Sequence, residues 1–245
     1  MTGILSSTFG TFRPAAPITV TEKVKVQIKT AGTSISSGSF SFTSGNTILV
    51  LLAWDPSGNA IPIVQSVSET SGFLSYNGSL TAQFTAPTTT SSGTGVIIQP
   101  LTFTATNSSA TNITVGFSAS VTAKTMIILE LTNATTTQRS TSTTARGTTT
   151  AVSYTGPATV AATDIVITLL GVESPTAIAS GSTSTTGGTW SALSQIQTTG
   201  GTANTNIGIG YQYKIITAAG AQAIAWTTGA TPNNWGSRTI VLQHA

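Results

Sequence analysis

A chain of 245 residues with nine Lys and Arg, six Asp and Glu and a single histidine has few groups with which to do chemistry. Charged residues are 6% of the chain, against roughly 25% in an average soluble protein. The formal charge of +3 comes from scattered cations, so the clustered basic footprint of a nucleic-acid-binding surface is missing.

Cysteine is absent, which excludes disulfides and thiolate metal sites. No apolar run approaches the ~18 residues of a membrane helix. The first ten residues lack the basic start and long apolar core of a secretory leader, so the expectation is a protein made and assembled inside the cell. Ser and Thr supply about a third of the residues, and β-branched Thr fits a pleated surface. Apolar runs recur throughout, which separates the chain from a disordered Ser/Thr-rich stalk.

Residues 1–17 come first and stand apart. They hold Ile4, Leu5, Phe9 and Phe12, then Arg13, Pro14 and Pro17, and proline stiffens the exit. Such a segment is too short for a core of its own. Two readings stay open: it packs on its own first domain, or it docks on a neighbouring subunit as an assembly arm through Ile4, Leu5, Phe9, Phe12 and Arg13.

Residues 23–29 alternate, with Val24, Val26 and Ile28 facing one way and Lys23, Lys25 and Lys29 the other, which is the mark of a half-buried strand. Phe40 and Phe42 form a similar pair. Residues 45–54 are an apolar run entered through a glycine turn. Residues 101–105, 113–117 and 126–131 give three further strands, and turn signals such as Asn77-Gly78 separate such runs. From residue 163 the grammar repeats: an apolar run at 163–171, an aromatic strand at 211–215, a Trp-bearing strand at 223–226 and a closing strand at 239–242. Four landmarks in one order, offset by about 110 to 117 residues, argue for internal duplication. No stretch has helical apolar spacing.

The expected fold is therefore all-β: two tandem antiparallel β-sandwich domains, jelly-roll or immunoglobulin-like, of roughly seven to nine strands each. The domains are 18–132 and 133–245, preceded by the arm, with the boundary near Asn133. The Thr-rich residues 135–150 then open the second domain.

Catalysis needs a positioned base or a metal. His244 is penultimate and has no second ligand in sequence. The acids Glu22, Asp55, Glu69, Glu130, Asp164 and Glu173 each sit in an ordinary structural context, Asp55 in an Asp-Pro-Ser-Gly turn where it can bond the local backbone. No phosphate-binding or calcium-binding loop is present, and the glycines of Gly208-Ile209-Gly210 lie just before a strand rather than a helix. The expectation is no enzyme activity, no cofactor and no metal. Lys23, Lys25 and Lys29 form either a solvated face that discourages edge-to-edge pairing or a contact for an acidic partner. Trp226, aligned with Phe117, reads as core. Trp235, in the loop 232–236, and Trp190 are the candidates for surface recognition of a host-surface glycan by stacking.

The pattern of each copy resembles a β-sandwich module of phage structural proteins. Its elements are the glycine turn and apolar strand at 45–54, the Gly-Gly-Thr-Trp segment at 187–190, and the aromatic strand at 211–214 that ends in Lys214. The turn and Trp strand at 218–226, and the Trp loop and last strand at 235–242, complete it. The second copy matches best; the first lacks the Gly-Gly-Thr-Trp and late-Trp elements. The resemblance implies a minor tail protein of phages infecting actinobacteria, or a related head-decoration protein. Partners would then be other virion proteins and copies of itself, without nucleic acid or a membrane span, and the location the virion, assembled in the host cytoplasm. A carbohydrate- or host-surface-binding adhesin module is the alternative from a different class.

Overall fold

A computed structural model describes residues 16–56, 61–78, 83–86, 94–139, 143–157, 161–200, 205–232 and 234–245. The candidate arm residues Ile4, Leu5, Phe9, Phe12 and Arg13 lie outside this set. Among the described residues the chain is all-β, and every strand pair is antiparallel. No helix among them is long and apolar enough to cross a membrane.

The first half supplies β1 (Thr19–Ile28), β2 (Gly32–Ser36), β3 (Phe40–Phe42), β4 (Thr47–Trp54), β5 (Val64–Glu69) and β6 (Leu74–Tyr76). It continues with β7 (Phe84–Ala86), β8 (Val96–Ala105), β9 (Ser109–Thr111), β10 (Ile113–Val121) and β11 (Lys124–Thr132). The second supplies β12 (Ala134–Gln138), β13 (Thr143–Gly147), β14 (Ala151–Thr155), β15 (Ile165–Glu173) and β16 (Ile178–Ser180). Its last strands are β17 (Ser194–Gln197), β18 (Ile207–Ile215), β19 (Ala223–Thr228) and β20 (Asn234–His244).

Each half folds into a six-stranded and a three-stranded sheet. The large sheets run β1-β11-β4-β8-β6, with β7 also on β8, and β12-β20-β15-β18-β17, with β13 also on β20. In both, the opening strand pairs with the closing strand, which pairs with the long apolar strand. The small sheets are β2-β10-β5 and β14-β19-β16, and β3 and β9 form a separate ladder. The chain passes from one half to the other through Asn133 alone. Its left-handed φ of 55° is a conformation Asn tolerates, and its side-chain amide donates to the Pro17 carbonyl at 3.0 Å.

The alternation of side chains explains how the sheets stack. Every residue of β4 is buried. Ile48, Val50, Leu52 and Trp54 face the small sheet of their own half and pack with Met126, Ile128, Val115 and Phe117. Leu49, Leu51 and Ala53 face the other way. The second half does the same: Val166, Leu170 and Val172 of β15 pack with Ile224, Trp226 and Val241, while Ile165, Ile167 and Leu169 point away from them. Those outward rows meet each other. Leu49, Leu51, Ile127 and Leu129 share one core with Ile165, Ile167, Leu169, Ile209, Ile240 and Leu242. The molecule is thus four layers, small-large-large-small, with three cores. The sandwich-type all-β architecture read from the sequence is present. The two halves are, in addition, packed through their large sheets rather than strung side by side.

Two glycines set the approach of those sheets. Gly171 on β15 pairs with Gly236 on β20. A Cβ at Gly171 would fall 2.3 Å from Ile98 Cγ2, and one at Gly236 would fall 3.3 Å from both Ala86 Cβ and Phe84 Cδ1. These contacts are with the first half. A side chain at 171 would push the layers apart.

The outer faces of the two small sheets carry no charged side chain. In the first half, Thr114 lies between Ser36 and Ser68, and Gly116 between Ser34 and Ser66. In the second, Ala151, Ser153 and Thr155 face Thr227, Ala225 and Ala223.

Because the middle core belongs to both halves, the chain should unfold in a single transition seen alike by intrinsic fluorescence and circular dichroism. Gly171→Leu should lower stability by about 1–3 kcal/mol, the usual cost of overpacking, measured by urea denaturation. Two separated transitions in the wild type would contradict the shared core.

Candidate functional site

The three lysines of the stripe go to three different places. Lys23 Nζ lies 2.9 Å from Glu130 Oε2, and the other carboxylate oxygen accepts from the Thr43 amide and the Asn46 side chain, each at 2.7 Å. Burial alone would raise the Glu130 carboxyl, but the bonds from Lys23, Asn46 and Thr43 together hold it below the ordinary carboxylate range. Lys25 pairs with Glu22 at 3.0 Å on the surface, a contact worth at most about 1 kcal/mol. Lys29 reaches across to the second half, where its Nζ donates to Asn206 Oδ1 at 2.6 Å and Thr205 Oγ1 at 3.0 Å. Partial burial lowers its affinity for the proton, and the Asp55 and Glu173 carboxylates offset part of that.

Lys29 belongs to a polar rim around the shared core. Glu22 accepts from Ser194 Oγ and from the Tyr211 hydroxyl, the latter at 3.1 Å. Burial, then the Glu22 charge, pushes the Tyr211 phenol far above its usual value. Glu173, 1% exposed, accepts the Gly95 amide at 2.6 Å. Arg146 donates to the Thr85 carbonyl at 2.9 Å, and its guanidinium lies 4.7 Å from the Phe84 ring centroid. Each of these bonds joins one half to the other.

The remaining acids hold loops. Asp55 bonds a distant part of the chain: Oδ1 accepts the Thr122 and Ala123 amides, both at 3.0 Å, while residues 57–60 of its own turn lie outside the described residues. Burial raises the Asp55 carboxyl in spite of these bonds. Glu69 gathers the Ser71 amide and hydroxyl, Thr111 Oγ1 and the Leu74 amide, and these outweigh its desolvation and lower its pKa. Asp164, fully buried, takes a two-pronged contact from Arg139 and the Ala161 amide at 2.9 Å.

Trp235 and Trp190, the two candidates for glycan stacking, are interior. Trp235 is 6% exposed because its ring fills the space over Gly147, its strand partner, where a Cβ would come within 2.7 Å of Cζ2. Trp190 is 8% exposed, and Lys214 Nζ sits 4.5 Å from its ring centroid. Lys214 is itself buried and donates to the Thr186 and Ser184 carbonyls at 2.9 and 3.3 Å. Lys124 is buried the same way, on the Thr30 and Val121 carbonyls at 2.9 and 3.0 Å. Desolvation lowers both lysine pKa values. The sequence reading named Lys214 only as the end of an aromatic strand and did not single out Lys124; the signal for the burial of Lys214 is its position in phase with Gln212 on a strand whose second face is also covered. Gly208 and Gly210 lie inside β18, not ahead of it. Gly210 is there because a Cβ would strike Ile178 Cδ1 at 2.7 Å.

His244 Nε2 lies 2.8 Å from the Ala16 carbonyl, beside an apolar groove of about 350 Å³ lined by Pro17, Ile18, Ala162, Ile215 and Ile216. Among the described residues no group of three or more His, Asp and Glu side chains is placed to hold a metal ion. No family model matches the sequence, and no curated protein matches it.

Trp235→Ala should cost about 3–5 kcal/mol of stability, as for a buried aromatic, read by chemical denaturation. Glu130 has a depressed folded-state pKa, so its contribution is present above the unfolded value near 4.5 and is lost as pH falls through the folded value. The stability gap between wild type and Glu130→Gln should therefore be constant above about pH 5.5 and shrink steadily below about pH 4.5.

Proposed function

We propose that the chain is a non-enzymatic structural protein of a tailed-phage virion, a minor tail or tail-tip component whose task is to hold a fixed shape within an assembly. The observation that carries this reading is the use of the acids. All six carboxylates of the chain are engaged: Glu22 and Glu173 bind across the halves, Glu130 binds Lys23, and Asp55, Glu69 and Asp164 bind backbone amides of loops. A general acid or base needs an oxygen turned to a substrate. Here each carboxylate turns at least one oxygen to the chain's own donors.

The charge-free outer sheet faces support the same reading, since a neutral Ser/Thr/Ala face can meet a neighbouring subunit without desolvating a charge. The strand pattern that resembles phage β-sandwich modules supplies the virion context, and that warrant is an analogy of fold. Glycan stacking finds no support in tryptophans whose rings are interior.

Immunogold labelling of purified particles with antibody raised against the chain tests the proposal. Label on the tail or its tip is the expected result. Label over the head would replace the tail role with decoration, and particles without label would overturn the virion reading.

A further inference from the structure

We infer that Lys29 and Asn206 are a self-reacting pair: the Lys29 amine condenses with the Asn206 carboxamide, an amide bond joins the two halves, and ammonia leaves. Lys29 Nζ lies 2.6 Å from Asn206 Oδ1. Adding a C=O bond of about 1.23 Å, Nζ can be no more than about 3.8 Å from the carboxamide carbon Cγ. Reacting atoms in a near-attack pair stand about 3–3.5 Å apart. The gap is well under an ångström, and the flexible lysine stem can swing Nζ from the oxygen onto the carbon.

The surroundings supply what that step requires. Asn206 is 7% exposed, and its backbone carbonyl accepts the Ser174 amide at 3.0 Å, which fixes the electrophile. The buried Thr198 hydroxyl donates to Asn206 Oδ1 at 3.4 Å and is itself held by the Ile207 amide at 3.0 Å. A donor on that oxygen polarises the carbonyl and stabilises the negative charge that develops there on attack. Thr205 Oγ1, 3.0 Å from Nζ, holds the amine in place. Burial weakens the hold of Lys29 on its proton, and the Asp55 and Glu173 carboxylates offset part of that effect. Desolvation of this kind is one way a lysine becomes a nucleophile. Of the two carboxylates Asp55 acts the more strongly on Lys29, and burial raises its own carboxyl toward the range of a general base.

The atoms balance with no further reactant. The Lys29 ammonium passes one proton through water to the Asp55 carboxylate. The neutral amine adds to Asn206 Cγ, so that the Nζ–Cγ bond forms and the charge moves to Oδ1 beside the Thr198 hydroxyl. A second Nζ proton goes to Nδ2, the carbonyl re-forms, and the Cγ–Nδ2 bond breaks with its electron pair on nitrogen. Ammonia leaves and takes the proton back from Asp55 as ammonium. The new bond joins positions 177 residues apart, at the rim of the shared core, and a tie of that span restricts the unfolded chain. It rests on the geometry of the pair and not on the virion reading, so the mass of the chain and the labelling of particles can fail separately.

The test is the intact mass of the purified full chain after incubation at mildly alkaline pH, followed by peptide mapping. The wild type should be lighter than its sequence mass by one ammonia (~17 Da), and digestion should yield a branched peptide joining Lys29 to Asn206. Lys29→Arg keeps the positive charge and a donor but lacks the amine. It and Asn206→Ala should each show the full sequence mass and melt below the wild type. A wild-type chain of full sequence mass would overturn the inference. So would a loss of ammonia that persists in Lys29→Arg or that maps to another asparagine, such as Asn77 before Gly78.

Discussion

The molecule depends on one apolar contact, the face shared by its two large sheets. Leu49, Leu51, Ile127 and Leu129 on one side and Ile165, Ile167, Leu169 and Ile240 on the other are each fully buried. At roughly 1.5–3 kcal/mol for each such side chain, this layer ranks with the cores inside the halves as a source of stability. It also dictates the sequence of the central strands. A strand covered on one face alternates, whereas β4 and β15 are covered on both and so run apolar without interruption. The Gly171–Gly236 pair follows from the same constraint, because Val96, Ile98 and Phe84 come too close for a side chain there.

Charge is arranged around that contact. A carboxylate taken out of water is costly unless donors surround it. Glu173 meets this condition at the rim of the shared core with the Gly95 amide, and Glu130 meets it with three donors. Lys124 and Lys214 meet the matching condition for a buried ammonium with backbone carbonyls, Lys214 also with the Trp190 ring. With 6% of the residues charged, the chain spends much of its charge on fixing loops and layers, and the outer sheet faces are left neutral. The chemistry of the surface and the scarcity of catalytic groups have one origin.

The class of the fold was legible because its signal is local. The alternation at 23–29 places Val24, Val26 and Ile28 against the first core in β1, and the runs at 45–54 and 163–171 become the central strands β4 and β15. The stacking of the halves was written in the same runs, whose lack of alternation signals two covered faces. It was not read because each run, taken singly, is also satisfied by a strand in a lone sandwich. The burial of Trp235 could not be read locally at all. It rests on Gly147, a residue of another strand, and turn-like neighbours at 232–236 suggested exposure instead. Lys29 is similar: the stripe is visible in sequence, but Asn206 and Thr205 are brought to it by the fold.

The layering bears on what such a chain is suited to do. A sheet packed on one face can adjust its partner by sliding over a single interface. Here each large sheet is gripped on both faces, by its own small sheet and by the other large sheet, and interiors packed in this way resist shear because side chains interdigitate. The two neutral outer faces are thereby held at a fixed separation and angle, and the rim bonds from Glu22, Lys29, Glu173 and Arg146 oppose rotation of one half on the other. An enzyme that must open and close around a substrate gains little from this arrangement. A spacer that must present two surfaces in constant register gains a great deal, which is why the four-layer stack favours the proposed assembly role over a catalytic one.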